Sequence, residues 1–216
     1  MSHPAELLAV ITDWGGVLTP PISKLVRAWA EADQVDWDHY LSAIGPWLAA
    51  AYDPDGEINP VHALERGECT VAEFERVLAT RIRRIDGGPV PAEGLLNRMM
   101  SVEAPIAAMY DLIRGARARG LRTALLSNSW GDGGYPRADF PSLFDTVVIS
   151  HEVGMRKPEE RIFRHTATLL GVAPENCVFI DDIAANITAA EALGMTAIHH
   201  ADAASTAERL GELFPG

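Results

Sequence analysis

Short apolar runs alternate with amphipathic segments along much of the chain. The runs cover residues 7–11, 121–126, 146–150, 177–180 and 196–199. They contain β-branched residues and lack polar alternation, which is typical of strands buried on both faces of a parallel sheet. Apolar residues at helical spacing predict helices at 106–119, 159–170, 185–193 and 203–214. Strands that alternate with helices predict an α/β fold, a Rossmann-like parallel sheet with helices on both faces.

Residues 20–101 have a different pattern. Helical spacing predicts helices at 22–32, 36–52, 60–66, 70–85 and 92–100, with a turn at 53–56, and Thr70 and Glu73 are placed as a capping box. We therefore predict a core domain formed by 1–19 and 102–216, and an inserted α-helical cap domain at 20–101. Three of the five tryptophans, Trp29, Trp37 and Trp47, lie in this segment and are expected to pack inside the helical bundle.

Charge and composition narrow the classes of partner. The net charge of −12 on 216 residues argues against a nucleic-acid or anionic membrane partner. Cys69 and Cys177 are far apart and have no metal-like spacing, which fits a reducing compartment. The N-terminal apolar run follows no basic region, and no run approaches the length of a membrane span. A cytoplasmic location is the resulting expectation.

Polar side chains follow three of the predicted strands, at the point where each strand ends. They are Asp13, Ser127 with Asn128, and Asp181 with Asp182, and Lys157 precedes a helix nearby. Taken singly, each is as well explained by a turn or a helix cap. The carboxyl ends of parallel strands share one edge of the sheet, however, where open α/β sheets bind ligands.

Such an edge suits phosphoryl transfer. Carboxylates bind a hard divalent cation, an aspartate can act as a covalent nucleophile, and a hydroxyl, amides and a lysine can hold phosphoryl oxygens where charge develops.

These residues resemble the motifs of the haloacid dehalogenase-like (HAD) hydrolases. Residues 13–19, DWGGVLT, are similar to the first motif, Ser127-Asn128 to the second, Lys157-Pro158 to the third, and Asp181-Asp182 with Asn186 to the fourth. The stretch 125–198 is most similar to the phosphatase domain at the N-terminus of soluble epoxide hydrolases. The resemblance covers nearly the whole chain, and it places 20–101 where this family carries a helical cap.

The resemblance implies a Mg²⁺ site. Asp13 would be both nucleophile and metal ligand, and the backbone carbonyl of Gly15 would be a second ligand. Asp182 would bind Mg²⁺ directly, and Asp181 would reach it through a water molecule.

The resemblance also implies a site for a small phosphorylated substrate. Ser127 and Asn128 would hold phosphoryl oxygens, and Lys157 would neutralise the nucleophile and the phosphate. Asn186 would orient Lys157 or a metal-bound water. The implied activity is that of a Mg²⁺-dependent phosphatase working through an aspartyl-phosphate intermediate.

The first motif departs from the family pattern at Gly15, where its phosphatases usually carry a second aspartate as general acid and base. Such catalysis is typically worth ~10²–10⁴ in rate. The enzyme could be slow or limited to good leaving groups, or another group could supply the proton. His39, His62 and Asp132 are candidates, although each is better explained as an ordinary surface residue. Alternatively, the protein could bind phosphate or metal without catalysis.

A metal-independent 2-haloacid dehalogenase is a further alternative, because those family members also lack the second aspartate. Arg27 would then be the candidate halide-binding residue. Asp181 and Asp182 argue against it, because without a metal they add negative charge beside the nucleophile. Trp14 and Trp130 flank two motifs and could line the entrance to the site, pack against the cap, or contact a second copy in a homodimer.

Overall fold

The computed structural model describes residues 6–51, 59–101, 105–131 and 134–215. Its five strands form one parallel sheet in the order β3-β2-β1-β4-β5. They are β1 (Ala9–Thr12), β2 (Arg122–Ser127), β3 (Thr146–Ile149), β4 (Cys177–Asp181) and β5 (Thr196–His199). The central strand β1 pairs with β2 on one side and β4 on the other, so the residues that follow these three strands lie side by side.

Five of the described helices lie in the predicted insertion, residues 20–101. They are α1 (Ile22–Ala32), α2 (Trp37–Ala51), α3 (Pro60–Glu65), α4 (Val71–Arg81) and α5 (Leu95–Met99). Their buried side chains form a hydrophobic cluster of their own that includes Trp29, and Trp37 and Trp47 pack against it as expected. The Ile106 amide donates a hydrogen bond to the Leu18 carbonyl at 2.9 Å, which joins the two ends of the insertion. The domain boundaries at 19/20 and 101/102 stay a prediction.

The other helices cover both faces of the sheet. They are α6 (Ala107–Ala118), α7 (Phe140–Leu143), α8 (Ser150–Val153), α9 (Glu160–Leu170), α10 (Ala184–Ala192) and α11 (Ala203–Leu213). Val10 packs in the cluster that contains residues of α6 and α11, while its neighbour Ile11 packs in the cluster that contains residues of α9 and α10. Alternate residues of one strand thus serve opposite faces, and the predicted α/β fold is confirmed.

Several predicted boundaries need correction. The helix predicted at 70–85 ends at Arg81, because Ile82 is buried in an extended conformation and the next two residues form bridges instead. Arg84 bridges to Val35, and the Arg83 guanidinium binds the Asp36 carboxylate at 3.0 Å. The capping box at Thr70 is confirmed.

The four-residue helices α7 and α8 were not predicted, since one turn of helix shows no periodicity. The predicted turn at 53–56 lies outside the described residues. Among the helices of the described ranges, we find none with the length and apolar character that crossing a membrane requires.

Candidate active site

Asp13 follows the central strand, where its backbone amide still donates to the Ile180 carbonyl of β4 at 2.9 Å. Only 7% of the residue is exposed. Burial raises the pKa of the Asp13 carboxyl to about 7, although Lys157 opposes this shift.

Lys157 lies between two carboxylates. Its Nζ is 2.7 Å from Asp13 Oδ1 and 2.6 Å from Asp181 Oδ2, and the side chain is 1% exposed. Burial works against the charged ammonium, but Asp13 and Asp181 together raise the pKa of Lys157 above its ordinary value. The cation therefore stays charged and holds the ends of β1 and β4 together.

Asp13, Asp181 and Asp182 form a group of carboxylates with one oxygen each within 4.8 Å of the others. Asp182 is half-buried, and burial followed by the charge of Asp181 raises its pKa. The Asp182 carboxylate lies directly against Gly16, where a Cβ would be only 2.1 Å from Oδ2. With φ of +80°, Gly16 is therefore required both by its backbone conformation and by the position of Asp182.

These oxygen donors suit a hard divalent cation. Both Asp181 oxygens accept from Asn186 Nδ2, at 3.0 and 3.1 Å, and Oδ1 also accepts from the Ile183 amide at 2.8 Å. Asn186 thus contacts Asp181, the carboxylate that also binds Lys157. Asn186 Oδ1 is buried with no hydrogen-bond partner among the described residues, and a water molecule held by a cation in this group would supply a donor of the type it lacks.

Ser127 ends β2 on the other side of Asp13, and Asn128 follows it. The Asn128 amide donates to the Lys157 carbonyl at 2.9 Å, and the Lys157 amide donates to Asn128 Oδ1 at 2.8 Å. Asn128 thereby fixes the backbone of the residue whose ammonium reaches Asp13. Ser127 Oγ lies 2.8 Å from the hydroxyl of Tyr135, a neighbour that the sequence analysis missed. Burial raises the pKa of Tyr135 to about 12, so its hydroxyl stays protonated.

Gly15, the position of the missing aspartate, is half-buried beside Asp13. A Cβ at Gly15 would lie 3.1 Å from Cδ1 of Ile22, the flexible end of a side chain that is 37% exposed. An added Cβ therefore requires only a small shift of Ile22.

The structure gives contacts for two of the three candidate substitute acids, His39 and His62. His62 is buried and its Nε2 lies 3.2 Å from the Ala51 carbonyl, while the His39 amide donates to Asp36 at the start of α2. Asp132 lies outside the described residues.

Arg27, the candidate halide ligand, is exposed. It pairs with Glu31 at 2.9 Å and its guanidinium lies 4.8 Å from the centre of the Trp37 ring. These contacts place the guanidinium on the surface of α1.

A buried carboxylate of the inserted segment, Glu65, also reaches the core residues of the site. Trp130 Nε1 donates to Glu65 Oε1 at 3.1 Å. Trp130 thus packs against the insertion, whereas Trp14 packs beside Tyr135 with ring centres 5.5 Å apart. Glu65 occupies a position of α3 that helical spacing predicts to be apolar, on the face of Val61 and Leu64, and that anomaly is the signal that could have revealed it.

Taken together, a central-strand aspartate, a buried lysine and a carboxylate pair on the next strand form a polar site at the carboxyl edge of a parallel α/β sheet. Comparison with known proteins gives the family. Residues 7–194 match the family model described as haloacid dehalogenase-like hydrolase, and the chain belongs to that family.

Two curated relatives cover most of this chain. Mouse acyl-CoA dehydrogenase family member 10 is 31% identical over 202 residues, 88% of this chain, and rat bifunctional epoxide hydrolase 2 is 26% identical over 222 residues, 94% of this chain. The chain spans only 17% and 39% of the lengths of these relatives. The resemblance to soluble epoxide hydrolases is thereby confirmed.

Two further matches have names that bear on chemistry. A phosphoserine phosphatase of Thermus thermophilus is 37% identical over 115 residues, half of this chain and 46% of its own length. A solved HAD family enzyme of Bacteroides thetaiotaomicron, in complex with magnesium and inorganic phosphate, has a TM-score of 0.63 at 22% identity and covers 89% of this chain and 93% of its own. The latter shares the fold.

Proposed function

We propose that the protein is a Mg²⁺-dependent phosphatase that hydrolyses a small phosphate ester through an aspartyl-phosphate on Asp13. The observation that carries the proposal is the position of Lys157, whose ammonium bridges Asp13 and Asp181 inside the protein. A buried cation beside a strand-end carboxylate provides local positive charge for an anionic substrate in a chain whose net charge is −12. The phosphatase among the relatives and the magnesium and phosphate complex of the structural neighbour support the same chemistry.

In the first step an oxygen of Asp13 attacks phosphorus. The bond from phosphorus to the ester oxygen breaks, and its electron pair leaves with the alcohol, which takes a proton from water. Lys157 attracts the phosphoryl oxygens and Ser127 holds them in place, while Asn128 helps by fixing the backbone of Lys157. In the second step water attacks phosphorus and loses a proton to solvent, the bond to Asp13 breaks, and inorganic phosphate is released.

The proposed Mg²⁺ site would lie at the carboxylate group of Asp13, Asp181 and Asp182. Asp13 and Asp182 would hold Mg²⁺ together with the carbonyl of Gly15, and Asp181 would act through a water molecule. The bound cation lowers the repulsion between the anionic phosphate and Asp13. Because the Asp181 oxygens already accept hydrogen bonds from Lys157, Asn186 and the Ile183 amide, Asp182 is the better direct ligand.

Gly15 limits which esters react quickly. Without a general acid the alcohol must leave as its anion, so the rate should depend steeply on the acidity of that alcohol. We therefore propose that the enzyme works best on phosphates with good leaving groups.

The test is hydrolysis of 4-nitrophenyl phosphate and of an alkyl phosphate, each with Mg²⁺ and with chelator. Wild type should turn over the aryl ester only with Mg²⁺, and Asp13→Asn should be inactive while remaining folded. Gly15→Asp should raise the rate on the alkyl ester by ~10²-fold or more, and Gly15→Asn is the matched control that fills the same space without a proton to give.

Chelator-resistant turnover, or activity retained in Asp13→Asn, would contradict the proposal. Tight phosphate or Mg²⁺ binding without turnover would instead identify a binding protein.

A further inference from the structure

We propose that Glu65 is a positioning residue, which acts from the inserted helices through Asn128 on Lys157; the inference rests on the proposed function for its effect on turnover. Glu65 is the last residue of α3, and it is fully buried. Its donors come from the α/β part of the chain, far away in sequence.

Every hydrogen bond described for the Glu65 carboxylate comes from the α/β part of the chain. Arg156 Nε donates to Oε2 at 2.5 Å, Trp130 Nε1 donates to Oε1 at 3.1 Å, and the Asn128 side-chain amide approaches Oε2 at 3.4 Å. Trp130 lies two residues after Asn128, and Arg156 directly precedes Lys157. One carboxylate of the insertion therefore contacts both segments that carry the phosphate-binding residues.

Asn128 links Glu65 to the backbone of Lys157. Its side chain donates to the Lys157 carbonyl and accepts from the Lys157 amide, so that the position of Asn128 sets the backbone from which the ammonium extends to Asp13. Lys157 is almost fully buried and has little freedom to compensate for a backbone shift. Loosening of Asn128 should thus reach the reacting carboxylate.

Further contacts near Arg156 also hold the insertion against the α/β part of the chain. Arg156 Nη2 also donates to the Ala51 carbonyl at the end of α2, at 2.6 Å, and Arg66 pairs with Glu159 at 2.8 Å. A Cβ at Gly67 would lie 2.7 Å from the His151 carbonyl oxygen, which shows how closely the backbones approach. Glu65 occupies the buried centre of this contact.

Glu75 offers a matched control within the same segment. It is also buried, at 6% exposure, but its carboxylate accepts from the Leu96 amide at 2.9 Å, a contact inside the insertion. Glu65→Gln and Glu75→Gln both replace a buried carboxylate by an amide of nearly equal size. Only the first presents an NH₂ group to donors on the Asn128 and Lys157 segments.

The first measurement is steady-state hydrolysis of 4-nitrophenyl phosphate with saturating Mg²⁺. Glu65→Gln should lower kcat by about 10- to 100-fold, the range typical of residues that orient active-site groups, with a smaller change in KM. Glu75→Gln should leave both within about twofold of wild type. An equal loss of kcat in the two variants would overturn the proposal, because it would show a merely structural effect.

The second measurement needs no substrate. The Lys157 amide donates to Asn128 Oδ1, so its hydrogen exchange, followed by NMR, reports the Asn128 contact. Exchange should be at least tenfold faster in Glu65→Gln than in Glu75→Gln, relative to the β4 amides that report global unfolding. Equal exchange in the two variants overturns the positioning role. If wild type shows no turnover but the exchange differs as expected, the positioning role holds and the phosphatase proposal fails.

A double-mutant cycle identifies the route. In an Asn128→Ala background, Glu65→Gln should cost less than threefold in kcat, because its effect passes through the missing side chain. A full additional loss in that background would overturn the route through Asn128.

Discussion

The adjacent glycines of the first motif should respond in opposite ways to one methyl group. At Gly16 an added Cβ would lie 2.1 Å from Asp182 Oδ2 and 2.7 Å from its Cγ, whereas ordinary contact begins at 3.4 Å. The Asp182 carboxylate must therefore move by more than 1 Å. At Gly15 the nearest atom is the flexible end of Ile22 at 3.1 Å, which has only to yield by a few tenths of an ångström.

Gly16→Ala should impair catalysis more severely than it lowers the free energy of unfolding. Its φ of +80° makes alanine unfavourable by roughly 1–2 kcal/mol, but the displaced group is the end of a side chain. Misplacement of a reacting or ligating group by 1 Å can cost about 10²-fold in rate. Gly120, with φ of +85° and no atom within 4 Å, provides the control for backbone strain alone.

The assay compares Gly16→Ala, Gly15→Ala and Gly120→Ala. Mg²⁺ titrations of 4-nitrophenyl phosphate hydrolysis give rate and metal dependence, and urea unfolding gives stability. Gly16→Ala should lose about 10²-fold in kcat/KM and need more Mg²⁺, while Gly120→Ala loses similar stability without that effect. A Gly16→Ala enzyme within threefold of Gly120→Ala in both rate and Mg²⁺ requirement would refute the reasoning.

Three further predictions concern stability. Lys157→Met should cost about 3–5 kcal/mol in urea unfolding, because it leaves two buried carboxylates without their cation; a loss under about 1 kcal/mol would contradict the importance of the bridge. Mg²⁺ at 100 times its dissociation constant should stabilise the wild type by about 2.7 kcal/mol, a gain that chelator removes and Asp182→Asn abolishes; thermal unfolding with and without Mg²⁺ measures it. Burial, followed by the charge of Arg156, lowers the pKa of His62, so the unfolded chain takes up the proton more readily and stability should fall as pH drops below about 6.5, the ordinary histidine pKa. His62→Gln should flatten that pH dependence, and an unchanged slope would exclude His62 as its source.

The strand-end residues could be predicted because they depend on short-range patterns and one rule of topology. Asp13, Ser127 and Asp181 each follow or end a buried apolar run, and parallel strands place such ends on one edge. The pairing of β1 with both β2 and β4 brings them together as expected. The end of α4 could not be predicted from local pattern, because Arg84, just after the helix, forms a bridge with Val35, far away in the chain.

The contacts between the insertion and the rest of the chain had no comparable local signal. Glu65 and Arg156 are 91 residues apart in sequence. The apolar face of α3 marks Glu65 as unusual, but no local pattern indicates Arg156 as its partner. The same holds for Tyr135, which reaches Ser127 from a segment rich in glycine and proline. Side chains that come into contact only through tertiary packing leave no periodic pattern in the sequence, so their partners are seen only in the structure.

The hydrogen bond between Ile106 and Leu18 has a consequence for how this protein can change. A segment that leaves a domain and re-enters it at nearly the same point forms a loop, and the length of that loop has little effect on the geometry of the sheet. In flexible chains, each doubling of such a loop costs only ~0.6 kcal/mol in closure entropy. The segment between Leu18 and Ile106 can therefore be lengthened or shortened at little cost to the sheet, provided that a residue equivalent to Glu65 is kept against Asn128 and Arg156. Under the proposed function, selectivity for the substrate can evolve in the remainder of that segment.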